Sequence, residues 1–123
     1  MKPRFLTSVV GSMPRPQFVR DLLRPETRRA LGEAEFTRLL DAAVAYVIAL
    51  QESAGLDVVS DGEWRRLSYI GVIADICDGF EVGYHGDQPW TTVVRPIAVR
   101  QPGLVAREAV FVRDHSHAEA KVA

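Results

Sequence analysis

The chain has 123 residues, 47% hydrophobic and 25% charged, which suits one soluble globular domain and excludes a disordered or membrane-spanning chain. Fifteen Lys and Arg against sixteen Asp and Glu give a formal net charge of −1, which argues against a dedicated nucleic-acid or polybasic membrane binder. A single cysteine, Cys77, excludes an internal disulfide framework. With no secretory-type or membrane-length apolar segment either, the expectation is a cytoplasmic protein.

Residues Phe5 to Val10 form an apolar, β-branched run closed by Gly11, Pro14 and Pro16, which predicts a buried strand followed by a loop. From Pro16 to Leu31 the pattern predicts one or two short helices divided at Pro25. The basic residues between Arg15 and Arg38 alternate with Asp21, Glu26, Glu33 and Glu35, and so read as a solvated mixed-charge surface. A long helix is predicted from about Glu33 to Ala54. Phe36, Leu39, Leu40, Ala43, Val47 and Leu50 draw its apolar stripe, Glu33 and Glu35 complement its positive end, and Gly55 stops it.

Leu56 to Ser60 reads as a second short buried strand, and Leu67 to Asp78, with Ile70, Val72, Ile73, Ile76 and Cys77, as a second helix ended by Gly79. This alternation predicts a parallel sheet with helices packed on it. Phe80 to Pro102 differs: Gly83, Gly86, Pro89, Pro96 and Pro102 punctuate extended pieces at Thr91–Val94 and Ile97–Val99, which predicts a protruding loop or hairpin. Arg107 to Asp114 follows as a short helix or strand, and Ala120 to Ala123 as the start of a third parallel strand. The organisation expected is one domain: a βαβα core at 1–80, a hairpin and connector at 81–119, and a strand start at 120–123.

Two strand ends carry the chemistry. The first is Val9-Val10-Gly11-Ser12-Met13-Pro14-Arg15-Pro16, where Gly11 lets a ligand approach the backbone and Ser12 offers a hydroxyl and an N–H. The second, Ser60-Asp61-Gly62-Glu63-Trp64-Arg65-Arg66, places two carboxylates at a strand mouth. Neighbouring strands lie about 4.8 Å apart, so Ser12 and Glu63 can face one small ligand. Hydroxyl and N–H donors suit a carboxylate and an ionised Glu suits an ammonium, which together match an α-amino acid. The bland reading stands beside this one, because Gly-Ser and Asp-Gly are also ordinary turn dipeptides.

The Val10-Gly11-Ser12-Met13-Pro14-Arg15-Pro16 opening, the Gln51-to-Asp57 helix-to-strand passage and the Asp61-Gly62-Glu63 strand end occur in this order. Together they resemble the catalytic barrel of cobalamin-independent methionine synthases, strongest over 6–16 and 51–66. The resemblance implies the α/β fold class and a partial (β/α)8 TIM barrel: the first two βα units, a protruding hairpin and the start of a third strand. It implies transfer of a methyl group from a folate donor to homocysteine or a related thiol, with a zinc ion binding the substrate sulfur as thiolate.

By position, Gly11 and Ser12 would hold the homocysteine backbone and Glu63 its amino group. Asp61 stands where such synthases carry His. Arg65 is a further candidate for a substrate anion, against surface ion pairing of Arg65 and Arg66 with Asp57 or Glu52. The family's zinc ligands come from later strands, and a full barrel needs roughly 250 residues. The expectation is therefore a fragment inactive alone, with no catalytic residue and no metal ligand of its own.

Cys77, on the apolar side of the predicted helix, reads as a buried thiol; His85, His115 and His117 read as ordinary surface histidines. Trp64 and Trp90 read as half-exposed packing residues. Two alternatives remain: a non-catalytic assembly module self-associating through an open sheet edge, and a barrel resembling uroporphyrinogen decarboxylase, in which Asp61 and Arg65 would outweigh Ser12.

Overall fold

A computed structural model describes residues 5–68 and 71–122. Helix α1 (Gln17–Leu22) and helix α2 (Pro25–Leu31) divide at Pro25, which occupies the first turn of α2, where its missing N–H costs nothing. Helix α3 (Glu33–Ser53) is the scaffold of the molecule. It ends in a Schellman arrangement: Gly55, at φ +80°, donates to Glu52 O at 2.9 Å, and Leu56 donates to Gln51 O at 3.2 Å.

The buried face of α3 is Phe36, Leu40, Ala43, Val44, Val47, Ile48 and Gln51. Leu50, assigned to the stripe by its spacing, faces solvent. Val44 and Ile48 are buried in one cluster with Val19 and Leu22 of α1, Leu23 just after it, and Val59, Trp64 and Val112. Each large apolar side chain so buried contributes roughly 1.5–3 kcal/mol. Gln51 closes the face with a fully paired amide. Its Nε2 donates to Val47 O and Ser60 O at 3.0 and 2.7 Å, and its Oε1 accepts from Ser60 N at 3.1 Å.

Strand β1 (Val58–Val59) lies parallel to β4 (Glu119–Ala120), pairing Val58 with Glu119 and Val59 with Ala120. On its other side β1 makes one parallel bridge, Ser8 to Val58. The predicted buried strand at Phe5–Val10 is therefore reduced to that bridge, and Phe5, Leu6 and Val10 are exposed. No described element covers them, so apolar composition alone does not bury the run. Two carboxylates, Glu52 in the last turn of α3 and Asp57 just before β1, pin both neighbours of β1. Asp57 Oδ2 accepts from Thr7 N and Oγ1, both at 2.7 Å, and Glu52 Oε1 accepts from the N–H groups of His117 and Ala118.

The helix expected over Leu67–Asp78 is shorter: α4 spans Val72–Ile76, and Ile70 lies outside the described residues. Cys77, Asp78 and Gly79 belong instead to strand β2 (Cys77–His85), which pairs antiparallel with β3 (Gln88–Val99). Cross-strand partners overrule the helical period there: Cys77 pairs with Val99 and Asp78 with Ala98, while Ile76 O accepts from Arg100 N and Gln101 N at 2.8 and 2.9 Å. The register then slips between Asp78 and Phe80. The hairpin expected between Phe80 and Pro102 is present, and its second strand runs unbroken through Pro89 and Pro96. Helix α5 (Leu104–Asp114) returns the chain to β4 and buries Val112 in the core.

Candidate functional site

The bridge at Ser8 and the end of β1 bring the two predicted motifs into direct contact. Ser12 Oγ donates to Glu63 Oε2 at 2.6 Å. Met13 N donates to Gly62 O at 3.0 Å and Trp64 Nε1 to Met13 O at 3.3 Å, so the loops are joined through backbone as well. Gly11, at φ +72°, has open space where a Cβ would stand. Gly62 is enclosed: a Cβ there would meet Met13, Trp64 and Val47 atoms, each at 3.3 Å.

Glu63 is buried and carries φ +58°, the one positive φ outside glycine among the described residues. Its N–H donates to Asp61 Oδ1 at 2.9 Å, and its carbonyl accepts from Arg15 Nη2 at 2.6 Å. Asp61 is 1% exposed, and its Oδ2 is buried without a hydrogen-bond partner, as is Arg15 Nε. Burial pushes the Arg15 guanidinium below its ordinary pKa, while the nearby Glu63 and Asp61 carboxylates oppose that shift.

Trp64 is fully buried, not half-exposed as its sequence context suggests. Phe18 meets its ring edge-on at 6.4 Å and Tyr46 stacks on it at 6.3 Å. Trp90, on the hairpin, is exposed.

Arg65 and Arg66 point elsewhere. Arg65 pairs with Asp41 at 2.7 Å and lies over the Phe111 ring at 4.7 Å; Arg66 makes a buried pair with Glu108 at 2.8 Å. The expected partners Asp57 and Glu52 are already taken by Thr7 and by the backbone before β4. Arg65 instead lines a cavity of about 610 Å³ between α3, α4, the hairpin and α5, to which neither Ser12 nor Glu63 contributes.

Cys77 is buried at the base of the hairpin. His85 packs edge-on against Trp90, and His115 stacks on Phe111 with Nδ1 2.9 Å from that residue's carbonyl oxygen. Among the described residues no three His, Cys, Asp or Glu side chains group so as to hold a metal ion.

Arg15 and Lys121 are site neighbours that charge counting passes over. The alternation of charges assigns Arg15 to a solvated surface, yet it is half-buried and bonded to Glu63; its position between Pro14 and Pro16, on stiff backbone, is the signal the sequence offers. Lys121 Nζ donates to Val9 O, tying the end of β4 to the first motif.

The profile of the family described as "Cobalamin-independent synthase, Catalytic domain" matches residues 5–122. A methionine synthase of Sulfurisphaera tokodaii is 32% identical over 124 residues, covering 95% of this chain and 36% of the relative. A 5-methyltetrahydropteroyltriglutamate–homocysteine methyltransferase of Trichodesmium erythraeum is 36% identical over 84 residues, covering 68% of this chain and 11% of the relative. Among solved structures, a B12-independent methionine synthase from a Shewanella species, in complex with selenomethionine, superposes with a TM-score of 0.66. It has 26% identity over 93% of this chain and 36% of its own. The chain thus spans about a third, or less, of the length of these relatives.

Proposed function

Because the chain belongs to the cobalamin-independent methionine synthase family, we propose that its Gly11, Ser12 and Glu63 hold the amino-acid end of a homocysteine-like thiol. They would do so as part of a (β/α)8 barrel that methylates the thiol from a methyltetrahydrofolate-type donor. The 2.6 Å contact of Ser12 with Glu63 carries this reading, since it joins a hydroxyl and a carboxylate at the mouth of a parallel sheet. Glu63 Oε2 takes the Ser12 hydroxyl, and an ionised carboxylate so placed favours an ammonium group beside it. The selenomethionine-bound Shewanella relative supports an α-amino acid as the ligand.

The zinc implied by the family would bind the substrate sulfur as thiolate. The described residues gather no donor set that fits it. We assign this chain recognition of the substrate and no step at sulfur. No helix among the described residues is long and apolar enough to cross a membrane, and we place the protein in the cytoplasm, where Cys77 stays reduced.

Calorimetric titration tests the reading. Homocysteine binds about tenfold more tightly than 4-mercaptobutanoate, which lacks the ammonium, and Glu63→Ala removes that preference. Equal affinity of the unsubstituted chain for the two ligands would sink the assignment.

A further inference from the structure

Glu63 occupies left-handed backbone, a conformation that costs a residue with a Cβ about 1–2 kcal/mol, and each of its polar groups is held by another side chain. Asp61 Oδ1 takes its N–H at 2.9 Å, Arg15 Nη2 donates to its carbonyl at 2.6 Å, and Ser12 Oγ donates to its carboxylate at 2.6 Å. All three bonds carry a formal charge on one partner, which makes them about twice as strong as neutral ones.

The seat of Asp61 is itself fixed. Its carbonyl accepts from Trp64 N at 3.2 Å, and buried Trp64 is bonded in turn to Met13 O. Arg15 is held between two prolines and half-buried. Without these bonds the φ of Glu63 would relax towards negative values, and its carboxylate would swing off Ser12.

We propose that Asp61 and Arg15 are positioning residues. They grip the N–H and the carbonyl of Glu63 and keep its carboxylate turned into the binding site, with no need to touch the ligand. Asp61 acts here as an acceptor for one N–H, so an amide oxygen at position 61 keeps that bond in a weaker, neutral form that still holds the turn. This rests on the reading that Glu63 meets a ligand ammonium.

Two readouts on the 123-residue chain test it. One is the intraresidue Hα–HN nuclear Overhauser effect at Glu63, strong for φ near +58° and weak for negative φ. The other is homocysteine affinity. In Asp61→Asn the strong Overhauser effect persists and affinity stays within about twofold. In Asp61→Ala and in Arg15→Met the effect weakens and affinity falls about tenfold.

A strong effect persisting in both Asp61→Ala and Arg15→Met overturns the proposal. So does an Asp61→Asn chain that loses affinity as Asp61→Ala does while keeping the strong effect, since the charge would then act on the ligand directly. Should Asp61→Ala fail to fold, Arg15→Met carries the comparison. If the unsubstituted chain does not bind homocysteine, the amino-acid reading fails by itself. The Overhauser comparison then decides the positioning alone, supporting it by loss and overturning it by persistence.

Discussion

Glu63 and Gly79 both sit on left-handed backbone, for different reasons. At Glu63 three side chains hold a residue in a conformation it would otherwise leave, a local strain that accompanies binding sites more than plain scaffolding. At Gly79 the cause is steric. With φ +98°, a Cβ there would stand 2.7 Å from Pro96 O and 2.8 Å from Arg95 O, backbone atoms that have no side-chain freedom to move away. Gly79→Ala is expected to cost about 3 kcal/mol, adding overpacking to backbone strain. Gly11→Ala, with open space around it, is expected to cost about 1 kcal/mol. Urea unfolding of the two variants checks this, and equal losses would mean that the β3 backbone at Arg95 and Pro96 simply yields.

Among the elements, the α3–β1 connection organises the parallel sheet, and it does so through ionised groups. Hydrogen bonds from the Thr7 backbone and hydroxyl hold the Asp57 carboxyl below its ordinary pKa, and the N–H groups of His117 and Ala118 do the same for Glu52. A carboxylate depressed in the folded state adds stability above its unfolded pKa and loses it as the pH falls through the folded value. Stability should therefore decline on acidification from about pH 5 to about pH 2. Asp57→Asn is expected to lower the urea midpoint at neutral pH and to leave it nearly unchanged at the acid end. An equal deficit at both ends would mean that ionisation of Asp57 contributes nothing. The glycine stop at Gly55 was legible in the sequence because helix termination is local. The pinning of Thr7 and His117 was not, since it joins Asp57 to a residue 50 positions away and Glu52 to one 65 positions away.

Over the whole molecule the same division holds. Helix α3, the break at Pro25, the hairpin and the meeting of Ser12 with Glu63 could be read from periodicity, punctuation and strand ends. The last turn assigned to α4 could not, because Val72, Ile73, Ile76 and Cys77 keep a helical period that only pairing with Val99 and Ala98 overrules. The burial of Arg15 is not legible in a charge tally, which records number and not depth. The site and the core share α3 and β1, whereas β2 and β3 bond chiefly to each other, with α4 their main neighbour. The molecule therefore keeps two clocks. Backbone amides within Glu81–His85 can trade their hydrogens for deuterium whenever the hairpin ladder parts, while those of Val44–Ile48 must wait for α3 itself to open. Protection should fall into a fast and a slow population divided near Cys77, and a single shared rate would mean that hairpin and core come apart as one body.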